Sequence, residues 1–105
     1  MRKTKLFLFL ALATLFVMPS CEDDGEIHAY FSTEYDDYEV GETIFFDNHS
    51  THFDDCYWDF DDGYYSDRVN PEHYYTEAGT YRVKLKVYND DDSDQCVKTI
   101  HVHGN

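Results

Sequence analysis

Tyr57-Trp58-Asp59-Phe60-Asp61-Asp62-Gly63 is the stretch on which the reading of this chain turns. Trp58, the only tryptophan of the 105 residues, stands two positions before Phe60. On a strand, residues two apart share a face, so Trp58 and Phe60 point one way and Tyr57 and Asp59 the other. Asp62-Gly63 is turn chemistry and ends the strand. The parity makes Trp58 a core residue of a strand running from about Cys56 to Phe60, rather than a platform for a sugar or aromatic ligand.

Working outward, the same period-2 signal recurs. Tyr81 to Tyr88 alternates cleanly, with Tyr81, Val83, Leu85 and Val87 inward and Arg82, Lys84, Lys86 and Tyr88 outward, the pattern of a half-buried antiparallel strand. Val97 to Val102 predicts the last strand, with Ile100 and Val102 inward and His101 and His103 outward. Upstream, Ile27 to Phe31 and Thr43 to Asn48 read as strands, the second with Ile44 and Phe46 facing in. Between these lie polar stretches: Ser32 to Glu39, the turn formers Asn48 to Thr51, the loop Asp62 to Asn70, and the acidic loop Asp90 to Asp94. No stretch after the first 26 residues has helical period or an internal repeat. The expectation is an all-β, Ig-like antiparallel β-sandwich of about seven short strands over residues 27–105.

These residues resemble the PKD (polycystic kidney disease) domain family, whose signature is Trp-Asp-Phe-Gly-Asp-Gly. The resemblance covers about residues 27–103. Beyond the Trp58 signature it includes Ala29 and Phe31, Gly41, Phe46 with Asn48 and Ser50, Pro71 with His73 and Tyr75, Gly79 with Tyr81, and Asn89. Asp61 departs from it, standing where the family has glycine. If that position needs positive φ, aspartate adopts it at a steric cost. The resemblance implies a sandwich, a structural role for His73, and an extracellular binding or spacing module.

The first residues read as a leader. Arg2, Lys3 and Lys5 precede an apolar run from Leu6 to Val17, closed by Met18, Pro19, Ser20 and Cys21. This is the layout of a secretory signal peptide over 1–20, cleaved on export, and the run is too short for a confident membrane span. The junction resembles the lipobox of bacterial lipoproteins, which implies a lipidated Cys21. The acidic tether that follows, residues 21–26, resembles the surface-export signal of Bacteroidetes lipoproteins. The implied location is the outer membrane, exposed at the cell surface, with membrane contact through the lipid alone. All 22 acidic residues follow Cys21, against Arg68, Arg82, Lys84, Lys86 and Lys98. Such a charge repels nucleic acid and excludes it as a partner.

The constellations that carry chemistry are few. Asp54, Asp55, Asp59, Asp61, Asp62 and Asp67 ring one loop, and Asp90, Asp91, Asp92 and Asp94 fill another. Neither has EF-hand spacing, so a solvated surface accounts for both. His101 and His103 share a face, but two ligands make a weak metal site. Asp59 and Asp62 belong to the fold signature, so no catalytic residue, metal or cofactor is expected. Cys56 and Cys96 are candidates for a disulfide in an oxidising compartment. The family's strand order puts both at the same end of strands that flank Tyr81–Tyr88. Flanking strands stand about 9.6 Å apart, whereas a bridge needs Cα atoms within about 7 Å, so the question stays open at this stage. The same strand order brings Tyr57, Tyr88, His101 and His103 to the border of a basic strip made by Arg82, Lys84 and Lys86. Two functions follow. One is a non-catalytic module binding an extracellular protein or polysaccharide through this strip. The other is a structural spacer or assembly subunit with no soluble ligand. Exposed aromatic and basic residues clustered on one sheet face favour the first.

Overall fold

The computed structural model describes residues 25–104. The leader expected over 1–20, the lipidation site Cys21 and the first tether residues lie outside them. Among these residues nine strands follow in order, seven of them short: β1 Phe31–Ser32, β2 Asp37–Glu39, β3 Ile44–Phe45, β4 Asp47–Asn48, β5 Asp55–Asp59, β6 Tyr65–Ser66, β7 Glu72–His73, β8 Gly79–Tyr88 and β9 Ser93–His103. One layer is a five-stranded sheet in the order β2-β9-β8-β5-β6. The other layer consists of two short ladders, β1-β4 and β3-β7. The segment expected as one strand, Thr43–Asn48, supplies both: β3 and β4 are its halves, with Phe46 between them.

β8 alternates as read from the sequence, with Val83, Leu85 and Val87 buried and Arg82 and Lys84 exposed. β9 departs from expectation at its start, since Ser93 to Gln95 pair with Tyr88 to Lys86 and belong to the strand. The hairpin turn is built by Asn89. Its Oδ1 accepts from the backbone N–H groups of Asp91 (3.0 Å) and Asp92 (2.8 Å), and its Nδ2 donates to the His52 carbonyl (2.8 Å). That closes the acidic loop to Asp90–Asp92 and explains an asparagine at this position.

Three strands, β2, β6 and β7, were illegible as strands. β6 lies inside the segment read as a polar loop and pairs with the end of β5. β2 lies in the acidic, tyrosine-rich stretch and pairs with β9 in parallel, Tyr38 opposite Val102. The sandwich is therefore not purely antiparallel. A three-residue strand has too few positions to display a period, and only Tyr38 of β2 is buried.

The core holds an aromatic cluster. Phe31 meets Trp58 edge-on at 5.0 Å between ring centroids, Phe46 lies 5.5 Å from Trp58 and 5.3 Å from Phe60, and all four rings are buried. Trp58 Nε1 donates to the Arg68 carbonyl at 2.8 Å, which ties the segment after β6 onto the sheet. The aliphatic half of the core comes from β8 and β9, through Val83, Leu85, Val87, Ile100 and Val102. Between the layers, Asp94 accepts from the Ala29 backbone N–H at 2.8 Å, and Lys98 lays its ammonium 4.6 Å from the centre of the Tyr30 ring.

The signature turn carries the departure noted in the sequence. Asp61 has φ +69°, the left-handed conformation that the family's glycine takes freely. Its carboxylate compensates in part, because Oδ2 accepts the Arg82 backbone N–H at 2.9 Å, just beyond the β5-β8 ladder. Asp59 Oδ1 accepts from the Asp61 N–H at 2.9 Å. His73 sits behind this turn. It stacks on Phe60 with centroids 4.2 Å apart, meets Tyr75 edge-on at 4.8 Å, and places Nε2 2.7 Å from Asp62 Oδ2. It is the packed structural histidine that the family pattern implies.

Candidate functional site

The outward face of the five-stranded sheet collects most of the residues singled out above. Strand register sets them in rows: Gln95, Lys86 and Tyr57 across β9, β8 and β5, then Val97, Lys84, Asp59 and Tyr65 one step along, with β6 included. Tyr88 and Asp55 stand at one end of the array, Arg82 and Thr99 towards the other. Tyr57 is 43% exposed and Tyr65 55% exposed, and their rings stack with centroids 5.5 Å apart and planes 19° apart. Partial desolvation, then the neighbouring Tyr65, Asp59 and Tyr88, push the Tyr57 phenol up, so it stays a neutral hydroxyl at ordinary pH. Lys86 places its ammonium 5.3 Å from the centre of the Tyr88 ring, a modest cation–π contact.

His101, opposite Thr80, stands on the same face one row beyond Arg82 and Thr99, whereas His103 does not join this group. β2, unforeseen in the sequence, packs along β9 and brings acids to it. His103 Nε2 lies 2.9 Å from Asp37 Oδ1, and His101 Nδ1 lies 3.3 Å from Thr80 Oγ1. An open recess of about 310 Å³ lined by Tyr35, Asp37, Tyr38, Glu39, Glu42 and His103 marks this acidic end. His103 therefore borders acidic ground rather than the basic strip. Among the described residues no three His, Cys, Asp or Glu side chains gather as a metal site.

Tyr65 is the site residue that sequence reasoning missed. The tandem Tyr64-Tyr65 ahead of Ser66 was its only signal, and a two-residue strand is too short to give a period.

Cys56 and Cys96 are free thiols, which corrects the disulfide considered from sequence. They face Val87 and Leu85 from opposite sides of β8, so a whole strand separates them. Two strand spacings amount to about 9.6 Å, beyond the reach of a disulfide, and because both residues lie within ladders no loop converges to close the gap. Cys56 is buried, with Sγ 3.3 Å from the Arg68 carbonyl oxygen. Burial, then the Asp67 carboxylate, pushes its thiol up, which keeps it protonated and poorly reactive.

Two layers of strands around one aromatic cluster, with no metal-site cluster among the described residues, define an Ig-like β-sandwich module. The PKD domain family matches residues 29–103, and the chain belongs to that family. Solved structures agree. The PKD1 domain of Vibrio anguillarum Epp is 27% identical, with a TM-score of 0.65 over 75% of this chain and 95% of that one. The PKD1 domain of the Vibrio cholerae metalloprotease PrtV is 32% identical, with a TM-score of 0.62 over 72% of this chain and 95% of that one. A third structure comes from work on the promiscuous specificity of carbohydrate-binding modules of the β-sandwich superfamily. It is 26% identical with a TM-score of 0.71 over 79% of this chain, which spans only 36% of that one. PKD domains are in general non-catalytic, and the chain is a binding or structural module of that kind.

Proposed function

We propose that this protein is a lipid-anchored, surface-exposed binding module that takes polysaccharide on the outward face of its five-stranded sheet. The observation that carries this reading is the stacked, exposed Tyr57–Tyr65 pair beside Lys84 and Lys86. Sugar rings present C–H faces that pack on aromatic rings, and their hydroxyls take hydrogen bonds from flanking cations and phenols. A spacer has no use for two half-bare tyrosines held on a rigid sheet, since exposed aromatic surface of this kind is what recognition sites retain. The likeness to a carbohydrate-binding module structure supports the same choice over a protein partner.

Affinity electrophoresis and a glycan array on the purified domain test this. The wild type should be retarded by at least one polysaccharide. The Tyr57→Ala, Tyr65→Ala double variant should lose about tenfold to a hundredfold in affinity while keeping its melting temperature. Capture of a protein partner with no glycan bound, or of nothing at all, moves the assignment to the protein-binding or the spacer reading.

The anchor rests on the sequence around Cys21. Labelled fatty acid should incorporate into the wild type, and Cys21→Ser should release the protein from the membrane fraction or stall its processing. Unchanged partitioning and an unchanged mature N-terminus in the variant would refute it.

A further inference from the structure

Resting on that reading, we infer that the polysaccharide is acidic, a chain bearing carboxylates on its sugars, and that Arg82, Lys84 and Lys86 are its charge-reading row. The three cations alternate outward along β8, at a repeat of about 6.8 Å for residues two apart on a strand. Among the described residues none of them has a carboxylate within ion-pair distance, for the ion pairs found there all involve histidine. Asp59 is the acid directly opposite Lys84, yet its Oδ1 takes the Asp61 backbone N–H instead. Asp61 reaches Arg82 through the backbone N–H and leaves the guanidinium to solvent.

This arrangement is unusual for the composition. Twenty-two acids against eight bases make neutralising partners abundant, and still none of the three closes an ion pair among the described residues. A neutral glycan gains little from three cations that have no ion-pair partner. A protein this acidic repels a polyanion everywhere else, so the row sets the one orientation in which an acidic chain can dock, with its sugars on the Tyr57–Tyr65 pair. The same field discriminates against nucleic acid, whose denser charge meets the acidic surround at both ends of so short a row.

The test uses the whole exported domain with two probes, polygalacturonate and neutral galactan, measured by calorimetry at low and high salt. Polygalacturonate should bind, galactan should bind at least about tenfold more weakly, and salt near 0.5 M should remove most of the difference as screening shortens to a few ångströms. Lys84→Glu with Lys86→Glu should lower polygalacturonate affinity on the order of a hundredfold with the melting temperature unchanged, and Lys84→Gln with Lys86→Gln should fall between. Arg68→Glu, a reversal on the loop after β6, should leave affinity within about twofold. Equal or tighter galactan binding, salt-insensitive binding, or equal loss from Arg68→Glu would overturn the inference. Binding to neutral glycans that the tyrosine variant abolishes would overturn it while sparing the polysaccharide reading. Binding to no glycan removes both.

Discussion

Trp58→Ala is expected to cost about 3 to 5 kcal/mol of unfolding free energy, the largest single loss available in this domain. The indole is fully buried and packs against Phe31, Phe46 and Phe60, so alanine opens a cavity at the junction of both layers. It also removes the donor to the Arg68 carbonyl, freeing the segment that follows β6. Domains have only about 5 to 15 kcal/mol in hand, so the variant should be largely unfolded at moderate urea. Urea titration followed by tyrosine fluorescence measures the midpoint shift. Trp58→Phe, which keeps an aromatic ring but loses the N–H and part of the volume, should fall between. An alanine variant within about 1 kcal/mol of wild type would mean the cluster is not the keystone described above.

Alkaline pH should destabilise the domain through Tyr75. Burial, then the carboxylate of Asp62 and neighbouring Tyr81, pushes this phenol far above its ordinary range, and its hydroxyl donates to the Phe60 carbonyl at 2.7 Å. In the unfolded chain it ionises near about pH 10. Above that pH the folded state keeps a proton that the unfolded state releases, so stability falls as pH rises, by up to about 1.4 kcal/mol per pH unit. Below it this group contributes no slope. Tyr75→Phe should lose about 1 to 3 kcal/mol at neutral pH, because the Phe60 carbonyl is left without its donor. It should also show a shallower decline above pH 10. Urea midpoints for both proteins between pH 7 and 11 decide the matter, and parallel curves would show that some other group carries the alkaline loss.

Much of the fold was legible because the long strands advertise themselves. The parity of Trp58 with Phe60, and the eight-residue alternation from Tyr81 to Tyr88, correctly set the buried face of the main sheet. The Asp61 departure also told true, since the position does have positive φ. What stayed hidden was local pairing between short segments. β2 and β6 hold three and two residues, and the ladders they join, not their own composition, make them strands. The candidate site was half legible for the same reason. Arg82, Lys84, Lys86, Tyr57 and Tyr88 follow from alternation on two recognisable strands. Tyr65 needed β6, and the acidic surroundings of His103 needed β2. The free thiols were undecidable from spacing alone, because whether loops converge depends on where ladders begin.

The parallel pairing of β2 with β9 has a consequence for the order in which the chain acquires its shape. The β8-β9 hairpin closes across the short Asn89 turn and involves only near neighbours in sequence, so it forms early. The β2-β9 pair joins residues as far as 66 positions apart, as the Asp37–His103 contact shows. Its entropy of closure must be met before any contact rewards it, which puts this pairing late and makes it slow. Until Ser93–His103 has been synthesised, Asp37–Glu39 has no ladder to join and Tyr38 has no wall to rest on. A chain emerging N-terminus first therefore keeps this edge of its main sheet open until its last strand arrives.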